Sequence, residues 1–129
     1  MGIGKILIAD DEPHIRRIIG YNFKRVGYEV IEAADGKEAV DLSLKEAPSL
    51  IILDVAMPEM DGYEACLAIK SNEKTKHIPI IMLTARGQEI DEKKGLDVGA
   101  DVYETKPFSP RMLIKKVEEV LGSEITTRA

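Results

Sequence analysis

Polar side chains that could take part in phosphoryl transfer follow several short apolar stretches of the chain. Asp10 and Asp11 come directly after the first such stretch, and Asp54 comes after another. Thr84 and Lys106 follow two more. Carboxylate, hydroxyl and ammonium groups can hold a cation and stabilise the charge on phosphoryl oxygens. The sequence therefore supplies groups for phosphoryl chemistry, provided that the fold brings them together.

Three carboxylates held close together need a compensating charge. Lys106 supplies one positive charge, which does not balance three acids, and a divalent cation is the natural complement. Oxygen ligands favour Mg2+, with Mn2+ as a possible substitute. Asp54 is the best candidate for a covalent nucleophile, because it ends the most apolar stretch. Asp10 and Asp11 then serve as metal ligands, while Thr84 and Lys106 contact the phosphoryl oxygens.

Five short stretches that could form β-strands must position these groups. Most of them are continuously apolar, which is typical of parallel strands covered on both faces. The more polar second stretch is expected at an edge of the sheet. The predicted strands are Ile6–Ala9, Tyr28–Ile31, Leu50–Leu53, Ile80–Leu83 and Val102–Glu104.

Helical patterns lie between and after these strands, at about 13–26, 37–46, 61–71, 89–98 and 111–121. Regular alternation with short connections predicts an α/β fold, a doubly wound parallel sheet with helices on both faces. The carboxyl ends of all strands in such a sheet lie along one edge, where ligands bind. The polar residues from position 10 to position 106 are therefore expected to meet in one crevice.

The ends and inward faces of the helices can also be predicted. Pro13 suits the first turn of the first helix and Gly27 its stop, Asp61 suits an N-cap, and Gly122 is expected to end the last helix. The apolar spacing predicts inward faces. They comprise Ile15, Ile18, Ile19, Asn22, Phe23 and Val26 in the first helix and Leu113, Val117, Val120 and Leu121 in the last.

Length and composition favour one domain, residues 1–122, with a short tail at 123–129. The net charge of -5 gives no basic face for direct nucleic-acid binding. The single cysteine, Cys66, excludes an internal disulfide and is expected in the core. No apolar run approaches the roughly 20 residues that span a bilayer. Together with the lack of a signal-peptide pattern, this predicts a cytoplasmic protein that does not contact membranes.

From about Lys5 to Leu121 the chain resembles the receiver domain of two-component response regulators, of the chemotaxis-regulator type. The resemblance rests on four segments in the family's order and spacing: ILIADDEP, LIILDVAMPEMDG, IPIIMLTA and GADVYETKPFSP. It implies a flavodoxin-like fold with five helices and a five-stranded sheet in the order 2-1-3-4-5.

The resemblance also implies roles for individual residues. Asp54 corresponds to the phosphoacceptor, which takes its phosphoryl group from a histidine kinase or a phosphotransfer protein. Asp11 is similar to a direct Mg2+ ligand, and Asp10 to a ligand that acts largely through water. Asp54 and the backbone carbonyl of Ala56 complete the protein's share of the coordination.

Three further positions resemble the parts of a switch. Thr84 is similar to the hydroxyl that moves toward the phosphoryl group, and Tyr103 to the aromatic side chain that turns inward, although packing alone is the alternative for Tyr103. The bond between Lys106 and Pro107 resembles the family's cis peptide. The family implies a signalling switch that catalyses its own phosphorylation and dephosphorylation, rather than an enzyme with turnover. Its output surface, about 89–121, would act on a downstream protein or a fused output domain.

Two other functions share part of this pattern. A Mg2+-dependent phosphohydrolase also uses an aspartyl nucleophile, but such enzymes usually carry a second acid two residues later, where this chain has Ala56. A phosphorylation-independent interaction module on the same fold would not need the complete set of acids. By the resemblance, Ala56 and Arg86 stand at the positions that affect phosphoryl lifetime in the family.

Overall fold

A computed structural model of the chain describes residues 4–84, 99–105 and 109–128, and only the backbone of residues 84, 105 and 123–128. Five strands form one sheet: β1 (Lys5–Ala9), β2 (Glu29–Ala33), β3 (Leu50–Asp54), β4 (Ile80–Thr84) and β5 (Val102–Thr105). The described helices are α1 (Pro13–Arg25), α2 (Gly36–Glu46), α3 (Gly62–Ser71) and the C-terminal helix (Pro110–Arg128). The helix predicted at 89–98 lies outside the described residues.

The sheet has the order β2-β1-β3-β4-β5 with every neighbouring pair parallel, which confirms the predicted topology. All five residues of β3 are buried, as expected for a central strand covered on both faces. The edge strand β2 has exposed and half-buried residues, and this confirms the edge position that its polar composition predicted. The observed strands differ from the predicted ones by one or two residues at their ends.

Two apolar clusters cover the two faces of the sheet. One lies under α2 and α3 and includes Leu7, Leu53, Cys66, Ile69 and Met82. The other lies under α1 and the C-terminal helix and includes Ile8, Phe23, Ile52, Leu113 and Val117. Successive residues of each strand contribute to opposite clusters, because side chains alternate across a strand. The burial of Cys66 and of the inward face of the C-terminal helix confirms those predictions.

Local signals in the sequence set several helix ends. Helix α1 begins at Pro13, and Gly27 follows its end with a φ of 105°, a conformation that favours glycine. Helix α3 begins after Asp61, whose carboxylate accepts a hydrogen bond from the backbone N–H of Glu64 (2.9 Å). The Glu64 side chain accepts one from the Asp61 N–H in return (3.2 Å), which completes a capping box.

The prediction that Gly122 ends the last helix is wrong. The C-terminal helix continues through Gly122 to Arg128. A helical glycine costs only about 1 kcal/mol relative to alanine, and no proline follows to break the backbone pattern. The residues predicted as a tail therefore extend this helix as far as Arg128.

The predicted inward face of α1 is partly wrong. Ile19 and Phe23 are buried, but Ile18 is 50% exposed and Val26 is 44% exposed. Gly20 is also buried, and its lack of a side chain brings the helix close to Val30 of β2. This contact turns α1 so that the buried stripe runs through positions 19, 20 and 23.

Candidate functional site

Two buried carboxylates lie at the carboxyl edge of the sheet. Asp10 directly follows β1 and is fully buried, and Asp54 ends β3 and is 4% exposed. The two strands are hydrogen-bonded neighbours in which Ala9 pairs with Leu53. Among the described residues these are the acids that the fold buries. Burying a carboxylate is unfavourable unless charge or hydrogen bonds compensate, so this placement makes the pair the candidate centre of a functional site.

The turn after β1 fixes the first of these acids. The Asp10 N–H donates to the Ala33 carbonyl of β2 (3.1 Å). One carboxylate oxygen of Asp10, Oδ1, accepts a hydrogen bond from the Glu12 N–H two residues on (2.9 Å). Such a side-chain turn is typical of aspartate just before a helix. The Asp10 carboxylate is therefore oriented by the entry into α1.

Three acids of this turn form a possible cation site. Asp10, Asp11 and Glu12 can each place a carboxylate oxygen within 4.8 Å of the other two. Asp10 is buried, whereas Asp11 and Glu12 are exposed at the mouth. A set of oxygen donors with no thiol or imidazole fits the preference of Mg2+ or Mn2+. The residues present are thus suited to the metal that the sequence predicted.

Glu12 is a candidate ligand that the sequence analysis did not assign. It stands in the run of acids that ends the first strand, and that run was the available signal. Its backbone N–H bonds Asp10, and this contact closes the turn and places the Glu12 carboxylate near the other two. The close grouping is a property of the turn, which residue type alone does not specify.

The loop between β3 and α3 carries Ala56 and is tightly bonded. The Val55 N–H donates to Leu83 of β4 (2.9 Å), and the Gly62 N–H donates back to the Val55 carbonyl (2.8 Å). Glu59 has a φ of 67°, and the N–H that follows it, that of Met60, bonds the carbonyl of Pro58 (2.7 Å). This is a three-residue turn of a rare and strained kind.

A surface depression joins the two loops. Asp11 from the first loop and Ala56 from the second both line it, together with Val55, Met57, Pro58, Asp61 and Tyr63. The structure therefore brings together Asp11 and Ala56, two of the four predicted metal-binding positions. The other two, Asp10 and Asp54, stand at the ends of the adjacent strands that lead into these loops.

Strands β4 and β5, which carry Thr84 and Tyr103, lie on the side of β3 opposite to β1. Thr84 ends β4, and its backbone neighbour Leu83 pairs with Asp54. Tyr103 of β5 pairs with Met82 and is half-buried, and its hydroxyl oxygen is buried. Its ring packs against the cluster under α2 and α3. The Thr84 side chain, Lys106 and the predicted cis peptide at Pro107 lie outside the described residues.

No helix in the described part of the chain is both long and apolar enough to cross a membrane.

Comparison with known sequences gives a consistent family match. The sequence model of the response regulator receiver domain matches residues 6–118. The chain is similar to a probable transcriptional regulator, ycf27, of Porphyra purpurea, with 48% identity over 125 residues that cover 95% of this chain and 50% of the relative. It is similar to the alkaline phosphatase synthesis transcriptional regulatory protein PhoP of Bacillus subtilis, with 46% identity over 117 residues that cover 91% and 48%. The chain spans about half the length of these curated relatives.

Solved structures with this fold have similar sequences. A putative response regulator from Chloroflexus aurantiacus superposes with a TM-score of 0.86 at 36% identity, over 92% of this chain and 98% of the other. The chemotaxis protein CheY4 of Vibrio cholerae superposes with a TM-score of 0.85 at 37% identity, over 92% of this chain and 99% of the other. The receiver domain of the sensor histidine kinase PA1611 from Pseudomonas aeruginosa superposes with a TM-score of 0.86 at 31% identity, over 95% of this chain and 99% of the other. That structure has a magnesium ion coordinated in its active site cleft.

Proposed function

The chain belongs to the response regulator receiver domain family, and from this we propose that it accepts a phosphoryl group on Asp54 in a Mg2+-dependent reaction. The observation that carries the proposal is the position of Asp54. It is a buried acid at the end of a fully buried central strand, beside the strand that leads into Asp10 and Asp11. A structural role would not require an acid at this place.

The proposed reaction is a direct transfer between two side chains. A carboxylate oxygen of Asp54 attacks the phosphorus of a phosphohistidine on a histidine kinase or a phosphotransfer protein. The new O–P bond forms as the P–N bond breaks, and the electron pair of that bond goes to the imidazole nitrogen. Burial of Asp54 at the strand end restricts water around the reacting carboxylate and fixes its direction of approach.

The surrounding residues supply charge and position. Asp10, Asp11 and Asp54 would hold Mg2+ with the backbone carbonyl of Ala56, and Glu12 lies close enough to assist. When bound, Mg2+ would neutralise charge that develops on the phosphoryl oxygens. The Thr84 hydroxyl and the Lys106 ammonium are proposed to contact the same oxygens.

The phosphorylated form is proposed to act as a signal. Phosphorylation would shift an existing equilibrium between two conformations, in which Thr84 and Tyr103 move together. The half-buried position of Tyr103 on the edge strand β5 is compatible with such a movement. The surface that would change is about 89–121. The longer relatives are named as transcriptional regulators, so the target is either a separate protein or a fused output domain, in the cytoplasm.

The test is phosphorylation by a small-molecule donor, acetyl phosphate, followed by the intact mass of the protein. We expect one phosphoryl group on the unaltered chain with Mg2+ present and none with a chelator. Asp54→Asn should remove the modification, whereas Asp41→Asn, at an exposed acid of α2, should leave it unchanged. Equal modification of Asp54→Asn and the unaltered chain would overturn the assignment of Asp54. Steady release of inorganic phosphate from a simple phosphate ester would instead favour a phosphohydrolase.

A further inference from the structure

We propose that Arg16 is a positioning residue for the metal-binding acids, a role that rests on the proposed function. Arg16 lies in the first turns of α1, and 16% of its side chain is exposed. Its guanidinium contacts the turn that carries Asp10 and Asp11 through the backbone carbonyl of Asp10 and not through a carboxylate of that turn. Arg16 lies outside the four segments on which the family resemblance rests, and the resemblance gave it no role.

One guanidinium makes two separate contacts. Its Nη1 donates to the Asp10 carbonyl oxygen at 2.6 Å, and its Nε donates to Oε1 of Glu32 on β2 at 3.1 Å. The planar fork of an arginine can serve two acceptors at once with little loss of freedom per hydrogen bond. Arg16 thus connects the turn after β1 to the edge strand β2.

The contact with the Asp10 carbonyl controls the acid that follows. The carbonyl of Asp10 and the N–H of Asp11 belong to one planar peptide unit, so fixing the oxygen fixes the direction in which Asp11 leaves the strand. The Asp10 N–H is already bonded to the Ala33 carbonyl at 3.1 Å. With Arg16 in place, both backbone groups of Asp10 are held by neighbouring elements. Two adjacent metal-binding positions are therefore oriented before any cation binds.

Glu32 makes this arrangement compatible with a cation site. An unbalanced guanidinium near Asp10 would repel a bound cation. The Glu32 carboxylate lies 3.1 Å from Nε and compensates that charge locally. Arg16 can then restrain the turn while adding little net positive charge. Outer-shell groups that orient metal ligands typically change metal affinity by about 10–100-fold when removed.

The two physical effects of Arg16 predict opposite results. If Arg16 acts by position, removing it loosens Asp10 and Asp11 and weakens Mg2+ binding. If Arg16 acts mainly as a charge, removing it relieves repulsion and tightens Mg2+ binding. The substitution Arg16→Met removes the charge and both hydrogen bonds while it keeps most of the apolar stem, so the sign of the change separates the two effects.

The experiment is calorimetric titration of the full chain with Mg2+, with Mn2+ as a second probe. We expect Arg16→Met to raise the dissociation constant about tenfold. Arg16→Lys keeps the charge but replaces the planar fork of two nitrogens by a single ammonium on a flexible stem, so it should weaken binding as well. Arg17→Met is the matched control, because Arg17 is the exposed neighbour, and its removal should leave the affinity unchanged or slightly tighter.

A purely structural role gives a different outcome. Urea unfolding in the presence of a chelator measures the stability of each variant without metal. If Arg16→Met lowers that stability but binds Mg2+ as tightly as the unaltered chain, or more tightly, the positioning role is overturned and the proposed function stands. If the unaltered chain itself binds no Mg2+, the proposed function fails first. Weaker Mg2+ binding in both Arg16 variants, but not in Arg17→Met, supports the inference.

Discussion

At the scale of single residues, Gly62 shows how closely the site loop packs on the sheet. Gly62 is the first residue of α3, and its N–H bonds the Val55 carbonyl. A Cβ at this position would overlap the Asp54 carbonyl oxygen and lie 2.7 Å from the Val55 Cα. These neighbours are backbone atoms, which cannot rotate away. Any side chain at this position therefore displaces the backbone of the proposed phosphoacceptor.

We predict that Gly62→Ala lowers the free energy of unfolding by about 1–3 kcal/mol, the usual cost of overpacking. Gly122→Ala is the matched control, because a Cβ there would meet nothing within 4 Å. In that helical position alanine should raise stability by about 1 kcal/mol. Urea unfolding of both variants measures the difference. Equal effects of the two substitutions would contradict the close approach at Gly62.

Cys66 gives a second prediction at this scale. Its side chain is buried, and this burial raises the pKa of the thiol to about 12. At pH 8 the folded protein should therefore contain the unreactive thiol form, since the thiolate is the nucleophile. Ellman's reagent should label Cys66 only after unfolding. In a Cys66→Ala background, Leu67→Cys introduces an exposed control that should react at once. Rapid labelling of native Cys66 would show that the thiol is accessible.

Residue type alone predicted part of the candidate site. Asp10 and Asp54 were named because polar residues after apolar strands converge at one edge, and the structure places both there. Glu12 was missed as a candidate ligand because its nearness depends on the turn geometry. Gly62 was missed because a close approach between backbones leaves no pattern in hydrophobicity.

At the scale of elements, the end of α2 contains a strained residue. Ala47 caps the helix with φ 46° and ψ 61°, a left-handed conformation, and its N–H bonds the Ser43 carbonyl at 3.2 Å. Glycine is the usual residue at such a helix end because it lacks a Cβ. Pro48 follows directly and prevents the helix from continuing.

We predict that Ala47→Gly raises the free energy of unfolding by about 0.5–1 kcal/mol. The relief of left-handed strain, roughly 1–2 kcal/mol, exceeds the added entropy of glycine in the unfolded chain, roughly 0.5–1 kcal/mol. Ala39→Gly in the middle of the same helix should lower stability by about 1 kcal/mol or more. In thermal and urea unfolding, Ala47→Gly should be more stable than the unaltered chain and Ala39→Gly less stable. A loss of stability in Ala47→Gly would contradict the strain.

Periodicity predicted the described elements more reliably than their ends or faces. The strands were recoverable because buried parallel strands are continuous apolar runs. The orientation of α1 was not, because Ile18 and Ile19 are equally apolar and the close approach of Gly20 to Val30, on the side that buries Ile19, has no signal in the apolar spacing. The end of the C-terminal helix was missed because a glycine is a common stop signal, whereas Gly122 is helical and the helix continues past it.

At the scale of the whole molecule, Lys70 connects parts that are distant along the chain. Its ammonium donates to the Ile78 carbonyl at 2.6 Å and lies 3.1 Å from Oδ2 of Asp101, just before β5. The same Asp101 oxygen accepts from the Ile80 N–H at 2.8 Å. Lys70 thus joins the end of α3 to the starts of β4 and β5. The side chain is 16% exposed, so solvent screens these contacts only in part.

We predict that Lys70→Met lowers the free energy of unfolding by about 1–2 kcal/mol, because it leaves carbonyl and carboxylate acceptors without this donor. A double-mutant cycle with Asp101→Asn should give a coupling energy of about 0.5–1 kcal/mol. Lys76→Met is the control, because its ion pair with Glu73 is exposed on both sides. We expect almost no change there. An equal loss of stability in Lys76→Met would show that the loss in Lys70→Met comes from removing any surface positive charge and not from the contacts of Lys70.

The pairing of β1 with β3 also determines how rarely the strands beside the site open. Strand β1 leads directly into Asp10 and β3 ends at Asp54; their apolar residues are fully buried, and each strand has a neighbour on both sides. Their amide hydrogens should therefore exchange with solvent only when the whole protein unfolds. Strand β5 lies at the edge and its residues 102–104 are half-buried, so its amides should exchange through local opening. Asp10 and Asp54 would then keep their relative positions during the local openings of β5 that move Tyr103.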